Sequence, residues 1–353
     1  MKPFAQRLID WQHSHGRHDL PWQGADAYQV WLSEIMLQQT QVATVIPYYR
    51  RFVASFPDVG ALATATEDEV LAHWSGLGYY ARGRNLHRAA QIIAEKHNGK
   101  FPRNFEQILE LPGIGRSTAA AICALAYHQH RAILDGNVKR VLARYCGIVG
   151  WAGDKKTEAQ LWQQAEALLP PHGVAAYTQG LMDLGAAVCT RSKPKCAACP
   201  VQDGCVALET ECTAELPTPR PRKAIPEKHA TFLLLMHGND ILLEKRPGSG
   251  IWGGLWCLPQ LDDGTTMENY LLHNGMKVSK KIKLPEFAHT FTHFRLHITP
   301  LLLRVENRPQ QVAQTRNTWL STEEALQTAI PAPVRTLLLK IKSGNCCNQD
   351  GSS

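Results

Sequence analysis

The fold turns on Leu111-Pro112-Gly113-Ile114-Gly115-Arg116-Ser117-Thr118 and the stretch that follows it, Ile133-Leu134-Asp135-Gly136-Asn137-Val138-Lys139-Arg140. Pro112 has no N–H, and Gly113 and Gly115 let the backbone take positive φ and let a ligand come close. A glycine turn that opens an alanine-rich helix leaves backbone N–H groups unpaired and aimed outward. Such a helix start is an anion site, and phosphate is its commonest occupant. A lone G-x-G would be better explained as a packing turn between two helices. The longer string is more specific and predicts a hairpin that grips a phosphate backbone. Asp135 stands ahead of a second helix, where a carboxylate also suits an N-cap.

The rest of the chain sets the context. At 353 residues two domains are expected, each large enough to bury its own core. A hydrophobic content of 44% and a charged content of 20% are ordinary for a globular protein, and the net charge of +7 points to a polyanionic partner. No apolar run approaches the ~20 residues of a membrane span. The amphipathic start, with Asp10 close behind Met1-Lys2-Pro3-Phe4, lacks the apolar core of a signal peptide. A cytoplasmic location is therefore expected, with the ten cysteines as thiols or metal ligands rather than disulfides.

Residues 1–212 read as almost all helix. Between Tyr28 and Tyr49 a helical period puts Val30, Glu34, Leu37 and Gln41 on one face, with Trp31, Leu32, Ile35 and Met36 around it. Glu34 thus lies on an apolar stripe, where desolvation raises a carboxyl pKa toward that of a general acid. A structural Glu–Arg pair is the plainer alternative. The amides Gln38, Gln39 and Gln41 weaken it, because they are poor core material and good wedges into a base stack. In Gly76-Leu77-Gly78-Tyr79-Tyr80-Ala81-Arg82, Tyr79 is expected to reach nucleic acid while Tyr80 packs inside.

The sharpest signal is Cys189, Cys196, Cys199 and Cys205, spaced C-x6-C-x2-C-x5-C. Four thiolates in one loop can hold zinc or a [4Fe–4S] cluster, and spacing alone does not choose. Arg191, Lys193 and Lys195 make the loop basic, suited to a phosphate backbone. Residues 213–228 form a basic, proline-rich linker. From 229 to 343 strands replace helices, beginning with a hairpin over Thr231–Met236 and Ile241–Lys245, and Ser321-Thr322-Glu323-Glu324 fits a capping box. Residues 344–353 are expected to be a disordered tail.

Taken together, Trp31-Leu32-Ser33-Glu34-Ile35-Met36-Leu37-Gln38-Gln39-Thr40-Gln41, the 76–82 loop, the glycine hairpin, Leu-Asp135-Gly-Asn137-Val and the cysteine quartet resemble the adenine DNA glycosylase family of the endonuclease III-like helix–hairpin–helix superfamily. The likeness runs from about residue 4 to the C-terminal helices. It implies an all-α glycosylase domain with an iron–sulfur loop, then an α+β Nudix-like domain. Its cofactor would be a [4Fe–4S] cluster. Its substrate would be duplex DNA with adenine opposite 8-oxoguanine or guanine, bound by a monomer. In that reading Glu34 is the acid, Asp135 stabilises the sugar cation and Asn137 orients water or a carboxylate. Trp22, Leu37, Ser117 and Gln179 line the base pocket. Gln38, Gln39, Tyr79, Phe291, Thr292 and His293 meet the lesion pair. Gly113, Gly115, Lys139, Arg140, Arg191, Lys193 and Lys195 meet the backbone. Where a strand-cutting lyase of this superfamily has lysine, Ser117 stands, so a monofunctional enzyme is expected. A bifunctional lyase, a non-catalytic lesion-binding protein and a nucleotide hydrolase remain as alternatives. The last is disfavoured because Asp262, Asp263 and Glu268 do not make up the Nudix metal-binding box.

Overall fold

The computed structural model describes residues 2–221, 224–261, 264–308 and 316–343. The expected tail at 344–353, and Asp262 and Asp263, lie outside the described residues. The chain divides into two compact units, Met1–Thr64 with Asn85–Arg222, and Ala65–Arg84 with Lys223–Ser353. The linker expected at 213–228 is thus partly attached to the first unit. Leu216 O accepts from Arg144 Nε at 2.8 Å, and Thr218 Oγ1 accepts from Gly150 N at 2.9 Å.

The first unit is helical. Asp26 caps the helix Ala27–Leu37 by accepting from Gln29 N, and the apolar residues Val30, Trp31, Leu32, Ile35 and Met36 are buried, as an all-round apolar pattern requires. This helix stops at Leu37. Gln39 takes φ 57°, and Gln41 becomes the N-cap of the next helix, Val42–Ser55. Gln41 therefore does not share a helix face with Glu34, as the periodicity had suggested. The polar run Gln38–Gln41 breaks the helix instead of continuing it.

The second unit is built on eight strands among the described residues: β1 (Glu227–His237), β2 (Asp240–Lys245), β3 (Trp256–Cys257), β4 (Gln260–Leu261), β5 (Val278–Lys283), β6 (Phe287–Thr290), β7 (Arg295–Val305) and β8 (Asn317–Ser321). The path is β3-β2-β1-β7-β5, with β4 on β1, β6 on β7 and β8 on β2. β1 and β2 are the expected antiparallel hairpin, but the long partner of β1 is β7, parallel from Glu227↔Arg295 to Met236↔Arg304. Phe232, Leu234 and Met236 of β1 share a core with Val334, Leu337 and Leu338 of the helix Ala332–Lys342. Leu233 and Leu235 point the other way and share a core with Leu271 of the helix Met267–His273. Both faces are covered, which is why Thr231–Met236 reads as an unbroken apolar run rather than an alternation. Leu71 joins the first of these cores, and Asp68 pairs with Lys245 at 2.6 Å. The 65–84 segment, which lies within the helical half of the sequence, thereby packs on the sheet.

Candidate active site

Asp135 caps the helix Gly136–Tyr145, accepting from Val138 N at 2.7 Å. Burial raises its pKa, while the Val138 and Asn137 N–H groups, the Arg140 charge and the Asn137 side chain pull it back down. Glu34 has no such donors among the described residues. Burial, with the Asp135 carboxylate adding to it, pushes Glu34 up to about 8. Burial raises both neighbouring carboxyl groups, and donors that favour the anion are present at Asp135 alone of the two. Glu34 keeps a proton at neutral pH, and Asp135 has the donors that stabilise an anion. Asn137 Oδ1 accepts from Arg140 Nη2 at 2.8 Å. The remaining Arg140 bonds go to Cys189 O and Gly185 O at 2.8 and 2.7 Å. Arg140, expected at the DNA backbone, is half-buried and makes these bonds from Nε and Nη2. Lys139 is engaged too, with Glu158 at 2.6 Å.

The hairpin behaves as its glycines suggest, with one correction. Gly113 has φ 80° and Gly115 has φ −99°, so only the first needs the left-handed region. Gly115 is instead the N-cap of the helix Arg116–Tyr127, with no side-chain cap and open space where a Cβ would sit. Unpaired N–H groups and room for close approach are what a phosphate needs. Ser117 Oγ accepts from Leu134 N at 2.9 Å, which ties the hairpin to the residue before Asp135. Gly185 permits a second close approach. A Cβ there would lie 2.6 Å from Asn137 Cβ, so the π-helical turn Leu184–Val188 packs directly on the helix Gly136–Tyr145. No motif in the sequence flagged Gly185.

Trp22 is buried edge-on against Tyr49, at 5.2 Å between centroids. Leu37 is half-buried at the end of its helix, Gln38 follows it, and Gln39 is exposed at its left-handed turn. Gln179 is buried on the helix Val174–Asp183, bonded to Asp183.

Cys189, Cys196, Cys199 and Cys205 line one cavity with Val141, Leu184, Val188 and Leu208. Burial, with the three other thiols adding to it, pushes Cys199 up to about 11. Cys199 becomes a thiolate only against a cationic core. No three His, Cys, Asp or Glu among the described residues converge on a single metal ion. Arg144, 2% exposed, donates from Nη1 to Cys189 Sγ at 3.3 Å and to Thr190 O at 2.7 Å. Arg191, Lys193 and Lys195 project outward.

In the second unit Phe291 N donates to Phe294 O at 2.8 Å, closing a turn between β6 and β7. Residues 291–294 are therefore the tip of a hairpin whose arms are β6 and β7. Phe291 stacks on Phe294 at 4.5 Å, while Thr292 and His293 are exposed at the tip. Tyr79, 50% exposed and at φ 48°, places its Oη 3.2 Å from Thr292 Oγ1. Sequence reasoning picked out both residues but not their contact.

Three family models match this chain: the HhH-GPD superfamily of base excision DNA repair proteins over residues 32–167, the iron-sulfur binding domain of endonuclease III over 189–205, and the NUDIX domain over 230–340. The cysteine quartet is accordingly the seat of a [4Fe–4S] cluster. The adenine DNA glycosylase of Buchnera aphidicola subsp. Acyrthosiphon pisum (strain APS) is 39% identical over 341 residues, 96% of this chain and 97% of that one. The adenine DNA glycosylase of Mus musculus is 31% identical, over 94% of this chain and 76% of its own length. The structure of a thermostable thymine-DNA glycosylase superposes with a TM-score of 0.54 at 30% identity, covering 59% of this chain and 95% of that one.

Proposed function

Since the chain belongs to the adenine DNA glycosylase family, we propose that it excises adenine mispaired with 8-oxoguanine or guanine from duplex DNA, as a monofunctional monomer. The observation that carries this reading is the pairing of Glu34, raised to about 8, with the donor-rich Asp135. The target adenine must leave the stack to be reached. Glu34 delivers its proton to adenine N7, which makes the base a better leaving group. The glycosidic bond breaks with oxocarbenium character, as in sugar hydrolysis generally. Asp135, on its helix N-terminus, stabilises that cation, and Asn137 orients water or the carboxylate. The glycine hairpin, at Gly113 and Gly115, holds a phosphate of the strand. The cluster, once bound, supplies a rigid core for the loop that presents Arg191, Lys193 and Lys195 to the backbone.

The loop tip of the second unit reads the opposite base. 8-Oxoguanine differs from guanine by a C8 oxygen and an N7–H, so it offers one more acceptor and one more donor. The Thr292 hydroxyl and the His293 imidazole can address both, with Tyr79 beside them. Lyase chemistry is disfavoured. Ser117 has no amine to form a Schiff base, and Lys139 is held by Glu158. No helix among the described residues is long and apolar enough to cross a membrane. The bacterial relatives support action in the cytoplasm, on the nucleoid. The deciding experiment is a single-turnover incubation with a duplex carrying adenine opposite 8-oxoguanine. Free adenine, with strand breaks only after alkali, is the expected result. Breaks without alkali at the rate of base release would favour a lyase, and intact duplex would favour a binding protein.

A further inference from the structure

The two residues assigned to the base pocket on distant elements, Trp22 and Gln179, are joined through one buried carboxylate. Asp183, 1% exposed, accepts from Arg17 N on Oδ2 at 2.9 Å and from Arg17 Nε on Oδ1 at 2.6 Å. Arg17 opens the loop that carries Trp22. Gln23 folds that loop on itself, donating from Nε2 to Arg17 O and accepting from Leu20 N at 3.0 Å. The same Asp183 Oδ1 accepts from Gln179 Nε2 at 2.8 Å.

An ionised carboxylate only accepts hydrogen bonds, whereas a glutamine amide has one end that donates and one that accepts. Asp183 therefore dictates which way the Gln179 amide faces. Its NH2 group turns to Asp183, and its Oε1 is left as an acceptor for whatever enters the pocket. Adenine carries a donor at position 6, the N6 amine. Guanine and hypoxanthine carry an acceptor there, O6, which would face Oε1 lone pair to lone pair. We propose that Asp183 is a positioning residue that sets the polarity of Gln179 and so makes the pocket selective for a 6-amino purine. A site that hydrogen-bonds one group rejects the analogue lacking it strongly, because its own buried polar atom is left unpaired.

The inference rests on Trp22 and Gln179 lining the base pocket, and Gln179→Leu tests that reading separately. If Gln179→Leu releases adenine at the wild-type rate, the pocket assignment fails and the inference falls with it. The test of polarity is the ratio of single-turnover release of adenine to that of hypoxanthine, each opposite 8-oxoguanine. Asp183→Asn can offer its own NH2 to Gln179 and lets the amide turn over. The ratio should fall by about ten-fold or more. Asp183→Glu, still acceptor-only, should lose rate but keep the ratio. If Asp183→Asn slows both substrates equally, Asp183 is merely structural and the inference is overturned. Should Asp183→Asn not fold, the wild-type protein decides through binding of uncleavable 2′-fluoro nucleotides. The affinity order adenine, then unsubstituted purine, then hypoxanthine is expected. Hypoxanthine bound as tightly as unsubstituted purine would overturn the proposal.

Discussion

Glu34→Gln separates the chemistry from the fold and carries a magnitude that follows from the site. The Glu34 carboxyl is raised from 4.5 to about 8, chiefly by burial. An acid whose folded pKa lies above its unfolded value binds a proton on folding. Its contribution to stability is neutral below about 4.5, and becomes a growing penalty as pH rises towards 8. At pH 7 the gap is 7 − 4.5 = 2.5 units, which at 1.36 kcal/mol per unit is a penalty of up to about 3 kcal/mol. Glutamine has the same shape and does not titrate, so the penalty disappears. Glu34→Gln should match the wild type near pH 4.5 and gain up to about 3 kcal/mol at pH 7, or roughly 6–12 °C in Tm for a unit of this size. Its base release should fall by about 10²–10⁴ or more, as loss of a general acid implies, while lesion-duplex binding stays intact. Wild-type release should fall about ten-fold per unit above pH 8, as Glu34 loses its proton, and fall again in acid as Asp135 gains one. Thermal scans from pH 4.5 to 9 and single-turnover rates check both halves. A Glu34→Gln enzyme that still turned over would place the acid elsewhere. One that gained no stability at pH 7 would show that the carboxyl is not desolvated.

Four shorter predictions accompany this one. Wild-type enzyme should show strand breaks only after alkali or heat, and gel analysis of untreated reactions that found breaks keeping pace with base release would refute the Ser117 argument. Cys199→Ser should lose the broad absorbance near ~400 nm that Cys-ligated clusters give. DNA binding should weaken more than proton transfer suffers, and a colourless, active wild type holding one zinc would contradict the cluster. Thr292→Ala with His293→Ala should lower the preference for adenine opposite 8-oxoguanine over adenine opposite guanine by roughly ten-fold, since one such contact is worth ~1–3 kcal/mol. Competition between the two duplexes reads this directly, and an unchanged preference would move recognition elsewhere. Gly185→Ala must push Asn137 away, at a cost of about 1–3 kcal/mol for overpacking, with base release falling alongside Tm. A neutral result would mean that the turn yields freely.

Features set by neighbours in the chain were legible from the residues alone. The capping role of Asp135, the capping box at Ser321, the turn at Gly113 and the cysteine spacing depend on groups a few residues apart, and local backbone geometry leaves few alternatives for them. The burial of the Ala27–Leu37 helix was equally plain, because its apolar residues run all the way round. Glu34 was found the same way, as a carboxyl on an apolar helix, although the break at Gln38–Gln41 was not, since a polar run can cap a helix or continue it.

Contacts that close over long stretches of chain were decided only by the tertiary structure. Nothing in the spelling of β1 names β7 as its parallel partner, or sends residues 65–84 to the sheet. The sequence shows two arginines, Arg140 and Arg144, on a basic helix, and nothing in it says what their guanidinium groups meet. The fold brings carbonyls from residues 185–191 to their guanidinium groups. Asp183 meets Arg17 across 166 residues. A hydrogen bond is indifferent to sequence separation, so its partner is known only once packing has brought the two groups together.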